Sequence, residues 1–278
     1  MARRLVSFGA AVCVWLTTVP PASAEDVLFR DRQPSPLVID GKPADPVCLM
    51  HLANGDSSWR DPIDLRNCSH ANIVIKSGSA DPRMIGFEYD YRNSAAEMRQ
   101  PYFLYRFLGS YRGHTLLFIE HGGGGTGEFT QIDSVDIQGH TLKPLEMLAG
   151  GDRCNGGVWH ASLAGERLSY DRHATPYGVM ALADKTPKAD DSPKLYSSLE
   201  DSASSCVANV HYQDAQWTSM SLSNPALKDE DGWTDGFLHQ PCFNNVYRAF
   251  VARHETELDR DGVNRFAKAV SDSCLRAP

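Results

Sequence analysis

Hydrophobic and polar residues follow a strand-like pattern over most of the middle of the chain. Within residues 71–137, runs rich in aromatic and β-branched side chains alternate with short clusters of Gly, Asn, Asp and Pro. Such runs predict strands, and the short links between them favour an antiparallel arrangement. Aromatic and acidic residues alternate strictly over 87–91, so we expect the rings to face the core. The predicted strands are 72–77, 85–91, 102–109, 114–120 and 128–137.

A second strand-rich region follows. Its predicted strands are 157–163, 167–170, 206–212 and 217–222, with the last two forming a hairpin that turns at 213–216. Between them, Thr175 is a candidate N-cap and Pro176 fits the first helical position. We therefore predict a short helix through Ala183, followed by a polar loop over 184–194.

The C-terminal part changes to a helical period. One apolar face runs from Phe243 through Phe250 to Leu258, and a second runs from Val263 to Cys274, with Asp261–Gly262 as the expected break. Helices joined by a short turn pack antiparallel, which places the start of the first beside the end of the second. This geometry predicts a Cys242–Cys274 disulfide.

The N-terminal residues have the three parts of a secretory signal. Arg3 and Arg4 precede an apolar stretch of about 15 residues, and Ala22–Ala24 supplies a cleavage pattern of small residues. We therefore predict a signal peptide over 1–24, with cleavage after Ala24 and residence in the periplasm or outside the cell. Residues 25–70 are predicted to be an extended, proline-rich arm.

Residues 71–278 are predicted to form one mainly β domain of the α+β class. Its body would be a sandwich-like or barrel-like set of antiparallel strands, closed by a helical cap at about 241–275. No run after the signal is apolar enough to span a bilayer, so no membrane insertion is expected after cleavage. The oligomeric state is left open.

Charge and cysteine content narrow the class of protein. Without the signal the chain has 25 basic and 35 acidic side chains, and such an excess of acid disfavours nucleic acid as a partner. Cys13 lies in the signal, and an even number of cysteines then remains, as in disulfide-bonded exported proteins. Apart from Cys242–Cys274 the pairing is open, with Cys48–Cys68 and Cys154–Cys206 the most local choice. The six are Cys48, Cys68, Cys154, Cys206, Cys242 and Cys274.

A glycine-rich loop is the most unusual segment. Its glycines follow a buried strand and precede another strand, whereas a dinucleotide-binding motif requires a following helix. His121–Gly124 resembles the oxyanion-hole stretch of lipases and esterases of the α/β-hydrolase family, but the Gly-x-Ser-x-Gly elbow of that family is absent. The loop is therefore interpreted as a wide turn or a binding loop. Its glycines are Gly122, Gly123, Gly124, Gly125 and Gly127.

Three residues near this loop are candidates for catalysis. If 114–120 and 128–137 form a hairpin, Glu120 and Glu128 lie at its two mouths, next to His121. Two carboxyl groups about 5–5.5 Å apart suit a retaining glycosidase. The two carboxylates could instead hold a cation between their oxygens. They could also both point into water, in which case the glycines only permit a tight turn.

Two further clusters could take part in binding. Asp152 and Arg153 lie within a second glycine cluster at 150–157, where they could pair as part of a structural turn or of a recognition loop. An acidic segment containing Asp229, Asp231 and Asp235 could hold a loose calcium ion; no other cofactor or metal is expected.

The leading functional hypothesis is a non-enzymatic binding protein for an envelope macromolecule, either a protein or a glycan. It depends on the absence of a recognised nucleophile–base or metal motif and on the presence of glycine-rich loops on a β scaffold, where binding residues are common. The alternative is a glycosidase-like envelope hydrolase that uses Glu120 and Glu128.

Overall fold

The fold is built on two antiparallel sheets. A computed structural model describes residues 36–53, 60–66, 73–74, 83–89, 101–183, 198–222 and 237–274. Its strands are β1 (Val38–Ile39), β2 (Lys42–Pro43), β3 (Ile63–Asp64), β4 (Ile73–Val74), β5 (Ile85–Tyr89), β6 (Tyr102–Tyr111), β7 (His114–Gly122), β8 (Phe129–Gln138), β9 (Thr141–Asp152), β10 (Val158–Ala164), β11 (Arg167–Ala174), β12 (Ala208–Gln213), β13 (Gln216–Leu222) and β14 (Glu257–Leu258). The helices are α1 (Pro46–Leu49), a 3₁₀ helix (Met50–Ala53), α2 (Pro176–Ala183), α3 (Gln240–Ala252) and α4 (Arg260–Cys274).

Neighbouring strands of the two sheets are mostly neighbours in sequence. The first sheet has the order β3-β9-β8-β7-β6-β5-β4, and the second has the order β10-β11-β12-β13-β14. All pairs are antiparallel. The predicted α+β class, with an antiparallel half-barrel body and C-terminal helices, is confirmed.

Three apolar cores hold these layers together. The first lies between one face of the first sheet and the N-terminal arm, and includes Leu49, Phe103 and Leu117. A second lies between the two sheets, around Leu116 and Tyr170. The third joins the inner face of the second sheet to α2, α3 and α4. The buried apolar side chains of the second sheet therefore lie on one face, and its other face is open to solvent.

The N-terminal arm has more regular structure than its prolines predict. Instead of an irregular extended segment, it forms β1, β2, α1 and the 3₁₀ helix, and β3 pairs with β9 at the edge of the first sheet. Asp45 caps α1 by accepting a hydrogen bond from the Val47 N–H at 2.9 Å. The buried Tyr105 hydroxyl donates to the Ala44 carbonyl at 2.7 Å, which ties the arm to the sheet.

The C-terminal helices begin and end at other residues than the sequence predicts. Helix α3 ends at Ala252, and Leu258 belongs to β14, which pairs with β13, not to the first helix. Asp259 accepts a hydrogen bond from the Gly262 N–H at 2.7 Å, so Gly262 lies inside α4 and does not break it. The chain instead leaves α3 at His254, which has a positive φ of 60°.

Two disulfides join described residues. Cys242–Cys274 links the start of α3 to the end of α4, with a Cα separation of 5.5 Å, as the antiparallel hairpin predicts. Cys154–Cys206 links the turn after β9 to the residues before β12. Cys48 is also disulfide-bonded, whereas its predicted partner Cys68 lies outside the described residues.

Residues 1–35, and with them the predicted signal peptide, also lie outside the described part of the chain. Among the helices that are described, none has the length and apolar character needed to cross a bilayer.

Candidate functional site

The glycine-rich loop lies where β7 turns into β8. Gly124 is buried and has a φ of +85°, a conformation that favours glycine. A Cβ at Gly122 would lie 2.7 Å from the Tyr102 ring, whereas a Cβ at Gly123 or Gly125 would meet no atom within 4 Å. Some glycines are thus required by the turn, and two face open space.

Glu120 and Glu128 are not opposite each other in the hairpin. Glu120 pairs with Thr130 and His121 pairs with Phe129, so Glu128 lies two positions nearer the loop than the partner of Glu120. His121 points to the other face of the sheet from Glu120, because successive strand side chains alternate. Its ring stacks on Phe129 at 5.2 Å, and burial lowers its pKa.

Asp152 and Arg153 bring the second glycine cluster against the loop. Arg153 Nε donates to Asp152 Oδ1 at 3.0 Å, which is the ion pair expected from the sequence. The same carboxylate oxygen accepts from the Glu128 N–H at 2.9 Å, and the Arg153 N–H donates to the Glu128 carbonyl at 3.1 Å. The two glycine clusters are therefore one continuous surface.

We call this the glycine-loop surface and define it as residues 123–129 together with Asp152 and Arg153. Its base is tightly packed. A Cβ at Gly151 would lie 2.1 Å from the Asn155 carbonyl oxygen, and one at Gly157 would lie 2.4 Å from the Arg153 carbonyl oxygen. The Cys154–Cys206 disulfide links this turn to the residues before β12.

A second arrangement, not identified from the sequence, crosses the outer face of the second sheet. We call it the polar row: His160, Asp171, His211, Ser221 and Glu257. Asp171 Oδ1 lies 2.6 Å from His211 Nδ1, and Asp171 Oδ2 lies 3.0 Å from His160 Nδ1. Ser221 Oγ lies 2.8 Å from His211 Nε2 and donates to Glu257 Oε2 at 2.7 Å.

Strand register brings the row together. Asp171 pairs directly with His211, and Ser221 pairs directly with Glu257. The intervening Val210 and Met220 are buried in the core beneath, so His211 and Ser221 face outward by alternation. The His211 side chain is 35% exposed and that of His160 is 80% exposed, so the row opens to solvent.

An exposed tryptophan lies on the same face. Trp159 pairs with Asp171 across the two strands and is 42% exposed. Its ring stacks on His173 at 4.9 Å. Burial is the main cause that lowers the pKa of His173, and the charge of His160 acts in the same direction. A planar, partly exposed aromatic surface therefore flanks the polar row.

The sequence did contain a signal for the row. The predicted 206–212 and 217–222 hairpin already places His211 and Ser221 on adjacent strands, but without a bulge they would face opposite sides. The register shift next to His211 brings them to one face, two positions apart. The predicted strand 167–170 ends one residue before Asp171, so the sequence pattern does not place Asp171 beside His211. Serine, histidine and aspartate on three separate strands also have no fixed spacing, so a motif search does not find them.

No metal centre is formed by the described residues, among which no group of three His, Cys, Asp or Glu side chains could hold an ion. The suggested calcium ligands Asp229, Asp231 and Asp235 lie outside them. No family model, curated protein or solved structure matches this chain.

Proposed function

We propose that the chain is an exported binding protein that recognises another envelope protein through the glycine-loop surface. The observation that carries this proposal is the joining of the two glycine clusters by Glu128, Asp152 and Arg153. Paired cysteines are typical of an oxidising compartment, which agrees with the predicted signal peptide and with residence in the periplasm or outside the cell.

The composition of the surface favours a protein partner. Phe129 is 39% exposed at its edge and provides an apolar contact. Gly123 and Gly125 are exposed and have no side chain, so an extended segment of a partner can approach their backbone groups. The Asp152–Arg153 pair adds both charges beside Glu128, at the end of the loop. Apolar, backbone and paired-charge contacts together suit a polypeptide.

Rigidity supports the same proposal. The loop is held at its ends by the paired strands β7 and β8. Its C-terminal end is hydrogen-bonded to the turn that contains the Cys154–Cys206 disulfide. Little conformational entropy is then lost when a partner binds, so a small surface can give useful affinity.

Filling the surface tests the proposal. Gly125→Trp should fold, because a side chain there meets open space, but should block a partner from the loop. The control is Glu166→Trp, at an exposed residue in the turn between β10 and β11. Immobilised wild-type protein is used to capture partners from the envelope fraction of the native host, and the Kd of a purified partner is then measured. We expect Gly125→Trp to weaken binding at least about tenfold and Glu166→Trp to leave it unchanged.

Equal binding by both variants would remove the glycine-loop surface as the site. A partner that survives protease treatment of the extract but is lost after glycan removal would show glycan recognition instead. The glycosidase alternative is tested by measuring hydrolysis of 4-nitrophenyl glycosides by wild type, Glu120→Gln and Glu128→Gln. Hydrolysis by wild type that is lost in both variants would favour the glycosidase over the binding protein.

A further inference from the structure

The centre of the polar row has the arrangement of a hydroxyl, an imidazole and a carboxylate in series. Ser221 Oγ, His211 Nε2, His211 Nδ1 and Asp171 Oδ1 are linked by contacts of 2.8 and 2.6 Å. Nucleophilic serine sites are recognised by this geometry on unrelated folds and not by the order of the residues in the chain. The order here, Asp171, His211, Ser221, is therefore no obstacle.

We propose that the outer face of the second sheet is an esterase site, with Ser221 as nucleophile, His211 as general base and Asp171 as the positioning residue. With Nδ1–H directed to Asp171, Nε2 of His211 can accept the Ser221 proton once that hydroxyl turns from Glu257. This inference uses residues outside the glycine-loop surface and does not depend on the binding function proposed above.

The chemical steps follow from these contacts. Ser221 Oγ attacks the ester carbonyl carbon while its proton passes to His211 Nε2. The tetrahedral intermediate then breaks the bond to the alcohol oxygen, which takes the proton from His211 and leaves. Water attacks the acyl-serine with its proton passing to His211, and the acid departs as Ser221 recovers a proton.

Two neighbours adjust this reaction. Asn209 pairs directly with Ser221, and cross-strand neighbours have Cβ atoms about 4.5–5.5 Å apart. Its amide can therefore donate to the oxygen that becomes negative in the intermediate. Glu257 accepts the Ser221 hydroxyl in the resting state, so it competes with His211 for the one proton.

The surroundings favour a small acyl group on a sugar. Asn209 and Glu257, the two residues that pair directly with Ser221, are polar and suit an acetyl group rather than a long acyl chain. Trp159 lies three strand spacings across the sheet and two residues along the strand from Ser221, about 16 Å away, with a partly exposed ring on which a further sugar unit can stack. The open face admits an extended chain. We infer an O-acetylated glycan as the substrate class.

The experiment uses the mature disulfide-bonded protein with 4-nitrophenyl acetate, cellobiose octaacetate and a fluorophosphonate that labels nucleophilic serines. The probe should label Ser221 in the wild type, as located by mass spectrometry. Ser221→Ala and His211→Gln should each lower kcat/KM for both esters by at least about 10³-fold. Ser219→Ala is the matched control, since Ser219 lies on the same strand and face, opposite His211, and should keep full activity.

Two further variants test the assigned roles. Asp171→Asn should lower kcat and alter the pH–rate profile, because the imidazole loses its fixed tautomer, and Asp171→Glu should restore part of the rate. Trp159→Ala should raise KM for the sugar ester alone.

No labelling of Ser221, or equal rates in Ser221→Ala and Ser219→Ala, would overturn the esterase site. Equal KM values for Trp159→Ala and wild type would overturn the glycan assignment. Thermal melts of all variants exclude unfolding as the cause.

Discussion

At the scale of single residues, Asp133 is an acid in an apolar setting. It lies on β8 facing the N-terminal arm and is 2% exposed. Its Oδ2 accepts a hydrogen bond from Gln131 at 2.7 Å, while Oδ1 has no hydrogen-bond partner among the described residues. Burial raises the pKa of Asp133 to about 7, although the contact with Gln131 acts in the opposite direction.

This raised pKa predicts that stability falls as the pH rises. The folded protein holds the Asp133 proton more tightly than the unfolded chain, whose pKa is about 3.9. The free energy of unfolding should therefore decrease between about pH 4 and pH 7, by about 2–4 kcal/mol in total. Asp133→Asn removes this titration and keeps an acceptor for Gln131. It should be more stable than wild type at pH 8 and lose that advantage towards pH 5.

Urea unfolding at both pH values measures the difference. Asp136→Asn is the matched control, because Asp136 lies on the same strand and accepts a hydrogen bond from Gln138 in an exposed position. Parallel pH dependence in wild type and Asp133→Asn would contradict a buried, titrating carboxyl group.

At the scale of elements, the alternation of side chains predicted most of the strands, but β9 was missed. Pro144 interrupts its pattern, and Gly150 and Gly151 lie near its end. Proline is tolerated in an inner strand at a bulge, and the register of β8 with β9 does shift next to the pair of Val135 with Pro144. The bulge that admits Pro144 depends on tertiary pairing that the sequence alone does not reveal.

The helical cap was predictable because its two apolar faces and the positions of its two cysteines both indicate an antiparallel pair of helices. Opening Cys242–Cys274 by the double change to Ala should lower the free energy of unfolding by up to about 4 kcal/mol on the chain-entropy model. Chemical denaturation measures the loss. Cys154 and Cys206 remain intact in this variant, so a fall in stability is specific to the cap. An unchanged midpoint would mean that packing around Phe266 alone fixes the two helices.

At the scale of the whole molecule, the arm completes the core of the first sheet. Leu49 and Leu52 are buried against that sheet, and Gln131 Nε2 donates to the Leu52 carbonyl at 3.1 Å. Gln131 pairs with Ile119 on β7, three residues from Gly122. The arm is thus packed against the strands that support the glycine-loop surface, and its loss should affect both stability and binding.

Leu49→Ala tests this coupling. Leu49 is fully buried, so the change should cost about 2–5 kcal/mol, whereas Val38→Ala in the same arm, 52% exposed, should cost less than about 0.5 kcal/mol. If the arm folds with the sheets, circular dichroism and tryptophan fluorescence will report one shared transition at a lower denaturant midpoint. A separate early transition, with the main midpoint unchanged, would mean that the sheets are stable without the arm. In that case partner binding should survive Leu49→Ala, because β7 and β8 would keep their register without the arm packed against them.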